Sequence, residues 1–528
     1  MSGSPAPPPP AIRFLPIGPR TLLAELDDLD RTLALFDALM ADPLPGVAEI
    51  VPAARTLMIR TAPGVAADGR LAGAVQARQP APGARPDPRA RQTVELPMTY
   101  DGEDLADVAT HMGLTQAQVI AAHQDTTWQV AFCGFAPGFA YMTGDDPRFD
   151  LPRRPSPRTR IPAGSVALAG RFCGVYPQET PGGWQLIGRT KVPMWDLSRD
   201  PPALLRPGMR CRFVARGSKV HASAAIPEPQ PRQGLRLLFT AFPITFQDEG
   251  RPGQGGQGVS ASGALDMGAA RRANRAVGNP SDRPVLEITL GPVRMAADQP
   301  MVLALTGAGQ ARVAGQRIPP GHAFALDKGD EVIIDPPQAG MRSYLALRGG
   351  FAVAPVLGSA ATDTLAFVGP GALTSGAVVA PANGPAGATG QPQDQPALPK
   401  AGDLVELPVT LGPRTDWFTP RMVKHFLSQE WLVTQQSSRV GIRLQGDAVT
   451  RADATELPSE GTETGAIQIP HSGQPVLFLA DHPLTGGYPV IATLHPRALD
   501  LAGQIPPGAR IRFTASADFA AITPERPA

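Results

Sequence analysis

Short apolar runs, separated by Gly and Pro at close intervals, fill most of the chain, a pattern that predicts brief strands joined by tight turns rather than long helices. Residues 12–17 and 21–26 read as two strands turned by Gly18 and Pro19, and residues 48–60 return to strand character. Between them Leu29, Leu33, Phe36 and Met40 recur at helical spacing. The β–β–α–β order implies a small α+β layer. Residues 64–91 are Ala, Gly, Pro and Arg without periodicity and read as a loop or linker.

A second unit begins at Thr93. Residues 104–111 read as a short helix, and Thr115 with Gln118 forms a capping-box signature for another ending at His123. Residues 128–132 lead into the stretch 134–191, where glycine turns carry Arg160, Ser165, Arg171, Tyr176, Gln178, Glu179, Gln185, Arg189 and Lys191. Residues 211–215 read as a closing strand. The Pro-rich, polar residues 219–234 are the expected boundary between halves.

In the second half, 235–245 is strand-like. A helix follows with Asp266 as N-cap, Met267, Ala270, Ala273 and Val277 on one face, and Gly278 just past its end. Strands are expected at 285–290, 301–306 and 331–334, a low-complexity and poorly ordered surface excursion at 376–402, and a helix at 419–427. The resulting division is an α+β subdomain at 1–92, a β-rich domain at 93–218, a linker at 219–234 and two β lobes in 235–528. The fold class is mainly β with α+β additions.

Composition narrows the function classes. At 528 residues the chain exceeds one core. A net charge of +1, with no basic run interleaved with aromatics, argues against nucleic acid. Three cysteines without CxxC spacing make neither a zinc site nor a disulfide framework and suit a reducing cytoplasm. No apolar run is long enough to span a bilayer, and the N-terminus lacks the features of a secretory signal.

Candidate chemistry centres on arginines beside glycines. Gly253, Gly255 and Gly258 match G-x-G-x-x-G, but no βαβ unit surrounds them. Gly183 to Thr190 imitates a phosphate loop with Arg189 in place of Lys, yet its interior is apolar and strand-like. Arg251 and Arg439 also sit in Gly- or Ser-rich turns, where a guanidinium fork and unencumbered amides can hold an anion. For each arginine a solvated turn charge is the competing explanation. None of the eight histidines forms HxxxH or HExxH, so no metal site is expected, and no G-x-S-x-G elbow supports a serine triad. His123 is the histidine favoured as an acid/base or orienting group.

The motifs GFAPGFAYMTG, IPAGSVALAG, GVYPQETPGGW and LIGRT resemble the allophanate-hydrolase-subunit-1-type family, which includes the B subunit of bacterial ATP-dependent 5-oxoprolinase and a sporulation kinase inhibitor. FQDEGRPGQGGQGVSASGALDMGAARRAN, with VLEITLGP, VLGSAATDT, SSRVGIRLQG and DHPLTGGYP, resembles the subunit-2-type partner, the C subunit of the same enzyme. The resemblance implies a fusion of the two, cyclophilin-like β-barrels, a cytoplasmic location and a separate A-type subunit, with oligomeric state left open. It also implies ATP, with Mg2+ carried by the nucleotide, and a 5-oxoproline-like small amide as substrate. Ser438 stands where the family commonly has an acid before the SSRVG arginine, and Pro483 and Leu484 replace polar residues before TGGYP.

On this resemblance the expected site is a crevice between the halves. Arg160, Arg189 and Lys191 would face anionic oxygens, Gln178 and His123 would orient polar groups, and Gly182 and Gly183 would admit backbone amides. Arg251, Asp266, Asn274, Glu287, Arg439 and Tyr488 would contribute from the second half. Helix capping by Asp266, burial of Glu287 and core packing of Tyr488 are the bland alternatives. The competing functions are a carboxyltransferase component of a biotin-dependent urea or amide carboxylase and a kinase-binding regulator.

Overall fold

The computed structural model describes residues 12–80, 93–215, 233–452 and 455–526. Residues 81–91 of the expected loop and 219–232 of the expected linker lie outside them. The strands Arg13–Gly18, Thr21–Glu25, Thr56–Thr61 and Val47–Pro52 form an antiparallel sheet in that order. The stretch expected as one strand is a hairpin, turned where the Ala53 N–H donates to Thr56 O at 2.9 Å. Helix Leu29–Ala41, capped by Asp28, lays Leu35 and Leu39 against this sheet. Residues 64–80 are not all loop, because Gly69–Gln76 is a helix. It is too short to show sustained periodicity, but Asp68 caps it and Leu71, Ala72 and Val75 are buried.

The second unit is a seven-stranded sheet whose first and last strands, Thr93–Met98 and Arg210–Ala215, run side by side in parallel. Thr99 and Arg189 exchange both main-chain hydrogen bonds, at 2.8 and 2.9 Å, and join the sheet's far edges. The last unit repeats the scheme. Its first and last strands, Leu404–Leu411 and Arg510–Ala515, pair in parallel and close a seven-stranded barrel. Such parallel pairing of a chain's ends turns a twisted sheet into a ring with no free edge.

Between the barrels, a six-stranded and a five-stranded sheet enclose Leu237, Met295, Leu303, Val332 and Leu345. Helix Met267–Ala276 covers the five-stranded sheet, placing Ala269, Ala270, Ala273 and Val277 on Ala304, Tyr344 and Ala346. Small side chains on both surfaces let helix and sheet approach closely. Residues 376–402 are irregular but not a loose excursion. The Gly387 N–H donates to Gly278 O, Gly340 N–H to Pro399 O, and Gly307 N–H to the Gln395 side chain.

The fold is mainly β, with α+β additions and cyclophilin-like barrels. No helix among the described residues is long and apolar enough to cross a membrane. Beyond Ala515 the chain returns to the first sheet, where Ile522 N–H donates to Phe14 O and Glu525 N–H to Gly69 O. Gly73 must lack a side chain because the Glu525 backbone occupies the space a Cβ would take. The C-terminus thus straps the two halves together.

Candidate functional site

Three glycine-rich stretches, far apart in sequence, meet where the halves join. The Gly138 N–H donates to Gln257 O at 2.9 Å, and the Gln257 side chain accepts from Ala203 N–H at 3.2 Å. A Cβ on Gly258, whose φ is +77°, would stand 2.8 Å from Ala136 O. A Cβ on Gly134 would collide with the side chain of Thr485, in the TGGYP stretch. Here glycine is demanded by close backbone approach. One resemblance-bearing motif of the first half, GFAPGFAYMTG, therefore meets two of the second, the FQDEGRPGQGGQG stretch and DHPLTGGYP, at one junction.

Four of the seven non-glycine residues at positive φ among the described residues lie on these loops or next to them. Phe135 (φ +67°) lies on the first-half loop and Ser262 (φ +55°) on the second-half glycine-rich loop. Leu357 and Phe367 (φ +54° and +55°) lie on the loop that Arg251 anchors through Val356 O and Ala361 O. Non-glycine residues at positive φ persist only where their surroundings over-determine them, and they gather at functional sites.

Behind the junction lies a buried charge network. Arg439 donates through Nε and Nη2 to both oxygens of Asp481 at 2.9 Å, through Nη1 to Glu287 at 2.5 Å, and through Nη2 to Gly263 O at 2.7 Å. Asp481 also accepts from Ser262 Oγ, Thr364 N–H and Thr364 Oγ1. Glu287 accepts from the Tyr344 hydroxyl and Leu265 N–H. Burial alone would lower the Arg439 pKa, but Asp481 and Glu287 outweigh it and raise it. Burial would likewise raise Asp481, yet the Arg439 fork holds it below the usual carboxylate range.

Next to these, Asp363 accepts from Ser260 Oγ and from Leu365 and Ala366 N–H. Burial, and then the Asp481 charge, push its carboxyl up to about 6. Arg251 is buried, its pKa lowered by desolvation, and its Nη1 has no hydrogen-bond partner among the described residues. Asp363, Asp481 and Asp248 supply the field around it. The arrangement can fix loops rigidly and can hold a proton on a carboxylate near neutral pH.

The structure brings Arg251, Asp266, Glu287 and Arg439 into this region and places the other expected residues elsewhere. Asp266 caps its helix by accepting from Ala269 N–H and also accepts from Gln504 Nε2. Asn274 is buried near the end of that helix, donating to Arg283 O and accepting from Asn279. His123 is fully buried, with Nδ1 on the Tyr100 hydroxyl and rings of Trp128, Phe149 and Phe213 around it. Desolvation lowers its pKa to about 3, so the expected acid/base group is a neutral core residue.

The cations expected at a shared crevice are also placed differently. The side chains of Arg160 and Arg189 are 74% and 70% exposed, paired with Glu179 and Asp101, each at 2.7 Å. Neither makes a hydrogen bond or ion pair to the second half among the described residues. Lys191 is exposed and Gln178 half-buried. Gly182 borders the Tyr176 hydroxyl, whereas a Cβ on Gly183 would meet nothing closer than 3.8 Å. Tyr488 is half-exposed against the His471 ring. The G-x-G-x-x-G stretch forms a short turn, Gly255–Gln257, and Trp184 to Ile187 are buried barrel wall. Asp248, Ser260, Ser262 and Asp363 were not singled out by sequence, although each lies inside a resemblance-bearing motif. An acid or hydroxyl embedded in a glycine-rich run was the available signal.

Residues 12–205 match the carboxyltransferase domain, subdomain C and D, and residues 257–515 match the carboxyltransferase domain, subdomain A and B. The chain belongs to the carboxyltransferase-domain family. Its second half is 36% identical over 282 residues to the C subunit of 5-oxoprolinase from Escherichia coli K12, covering 53% of this chain and 90% of that protein. Its first half is 48% identical over 124 residues to the B subunit of 5-oxoprolinase from Escherichia coli O157:H7, covering 23% of this chain and 57% of that one. Urea amidolyase of Lachancea kluyveri is 33% identical over 302 residues, 51% of this chain but 16% of its own length. The crystal structure of TTHA0988 superposes with a TM-score of 0.81 at 34% identity, covering 94% of this chain and 99% of that one. This carboxyltransferase-family chain is thus homologous, half by half, to two 5-oxoprolinase components that are separate polypeptides in Escherichia coli.

Proposed function

We propose that the chain is a component of an ATP-dependent 5-oxoprolinase and acts with a separate A-type subunit to open the 5-oxoproline lactam to glutamate. The observation that carries this reading is the presence in one chain of a half similar to the B component and a half similar to the C component, with their motif loops meeting at a single junction. The lactam is unstrained and resonance-stabilised, so water alone opens it slowly. Transfer of the ATP γ-phosphoryl group to the lactam oxygen gives an imidate-like ester. Water then adds at that carbon and the C–N bond breaks to give γ-glutamyl phosphate, and a second water hydrolyses this acyl phosphate to phosphate and glutamate.

Arg251 at the junction, buried with a free Nη1 among the described residues, is the cation proposed to stabilise the anionic oxygens of these steps. The test is phosphate and glutamate release from ATP and 5-oxoproline by the purified chain, with and without a candidate A-type subunit. Turnover dependent on both proteins supports the reading, and its absence with a demonstrably assembled pair refutes it. The match to the urea amidolyase carboxyltransferase region favours a second reading, transfer of a carboxyl group to or from a small amide. Biotin- and bicarbonate-dependent turnover of urea would select it.

A further inference from the structure

The surface joining the first sheet to the C-terminal barrel is built from two reciprocal clasps. Arg60, from the first half, grips both oxygens of Glu463 in the second, at 3.0 Å each, and Glu49 in its own half at 2.5 Å. Arg414, from the second half, reaches back to Glu25 in the first at 2.7 Å and to Glu460 in its own half. Each half thus supplies one guanidinium that is shared between a carboxylate of its own and one of the other half.

The second clasp is short of positive charge. Arg414 Nε and Nη2 both converge on Glu460 Oε2, at 2.8 and 2.7 Å, and Nη1 is taken by Glu25. Glu460 Oε1 is buried with no donor among the described residues. The groups facing Glu460 are Arg414, Glu25 and Asp416, and Arg13 pairs with Glu25 and Asp416. Three carboxylates therefore meet two guanidiniums. Thr56, paired with Glu25 across the sheet and so on the same face, has a buried hydroxyl that also lacks a partner. Ala54 N–H donates to Ser459 O alongside.

We propose that this surface is a proton-linked interface between the two halves, in which Glu460 carries a proton on Oε1 that balances the second clasp. An unpaired buried carboxylate oxygen is costly, and a neutral acid removes that cost. Burial lifts the Glu460 carboxyl to about 7 despite Arg414, in agreement with the charge count. Because the folded pKa is raised, the stabilisation is complete below the ordinary glutamate range. The folding equilibrium constant falls about tenfold per pH unit as pH rises from that range toward about 7 and levels off above it.

The intact chain tests this directly. Infrared difference spectra should show a neutral carboxylic-acid C=O band that titrates near pH 7 and is absent in Glu460→Gln. Glu25→Gln, which removes a competing negative charge and keeps Glu460, should move the midpoint of that band down by a unit or more. A purely structural role for Glu25 would leave the midpoint in place. The folding equilibrium constant should fall between pH 5 and 7 more steeply in the unsubstituted chain than in Glu460→Gln. The proposal is overturned if no titrating band is lost in Glu460→Gln, or if Glu25→Gln leaves the midpoint unchanged.

Discussion

The indole Nε1 of Trp128 donates to the main-chain oxygen of His123 at 3.3 Å, closing the corner between a helix and the strand that follows it. Trp431 makes the same bond to Phe426 at 3.0 Å in the C-terminal barrel. Trp128 pairs with Cys211 on the closing strand of its barrel, and Trp431 pairs with Ile511 on the equivalent strand. His123 lies 4.6 Å from the Phe213 ring, and Phe426 lies 4.9 Å from Phe513. The two barrels are therefore repeats, and His123 occupies the place of a core phenylalanine.

That equivalence gives a test of what His123 does. His123→Phe should preserve both fold and any reconstituted turnover, whereas His123→Ala should cost about 3 kcal/mol by opening a cavity. The folded pKa of His123 is depressed to about 3, so the neutral ring is what the core accepts. Its contribution is complete above about 6.5 and is lost progressively as pH falls toward 3. Unfolding free energies of the phenylalanine variant should therefore decline less on acidification. Loss of turnover in a well-folded His123→Phe variant would return the residue to the chemistry.

Arg439 is the hub whose removal should be felt most. Replacement by Met leaves Asp481 and Glu287 buried without their counter-charge, at a cost of about 3–5 kcal/mol. Adding Glu287→Gln should recover part of that loss, because the paired carboxylate is then neutral. Denaturant unfolding of the single and double variants measures the coupling. A cost below about 1 kcal/mol would show that the network does not join the central sheets to the barrel.

The junction loops make a steric prediction. Gly258→Ala combines an unfavourable positive φ with a Cβ 2.8 Å from Ala136 O, so the loops of the two halves must separate. The expected loss is about 1–3 kcal/mol, with turnover reduced by more than stability explains. Gly256→Ala, where nothing lies within 4 Å of the added Cβ, is the matched control. Equal effects from both would remove the junction from consideration.

Local order was legible in the sequence where a single element decides it. The Asp266 cap, the helix behind it and Gly278 at its end are as the spacing implies, because capping and periodicity act within a few residues. The Thr115–Gln118 capping box is likewise present. Partners across the fold were not legible. Nothing in the spacing of Arg160 and Arg189 shows that Glu179 and Asp101 neutralise them, and nothing near His123 shows that Trp128, Phe149 and Phe213 enclose it. The three junction loops were visible as glycine-rich motifs, but their meeting depends on where both barrels place their ends.

Asp363 links the junction's charge to its loops. It holds the turn at Leu365 and Ala366 and tethers Ser260, while burial and Asp481 keep its carboxyl near 6. A raised carboxyl pKa means the folded state favours the proton. Its stabilisation is therefore greatest below about 4, declines between 4 and 6, and is flat above, for a total of up to about 3 kcal/mol. Asp363→Asn keeps the size and one acceptor but cannot titrate, so its unfolding free energy should lack that decline. Amide exchange at Leu365 and Ala366 should stay slow in Asp363→Asn and quicken in Asp363→Ala, which removes both acceptors. If exchange is unchanged in Asp363→Ala, the carboxylate does not hold the loop, and the strain at Phe367 must be sustained by Arg251 alone.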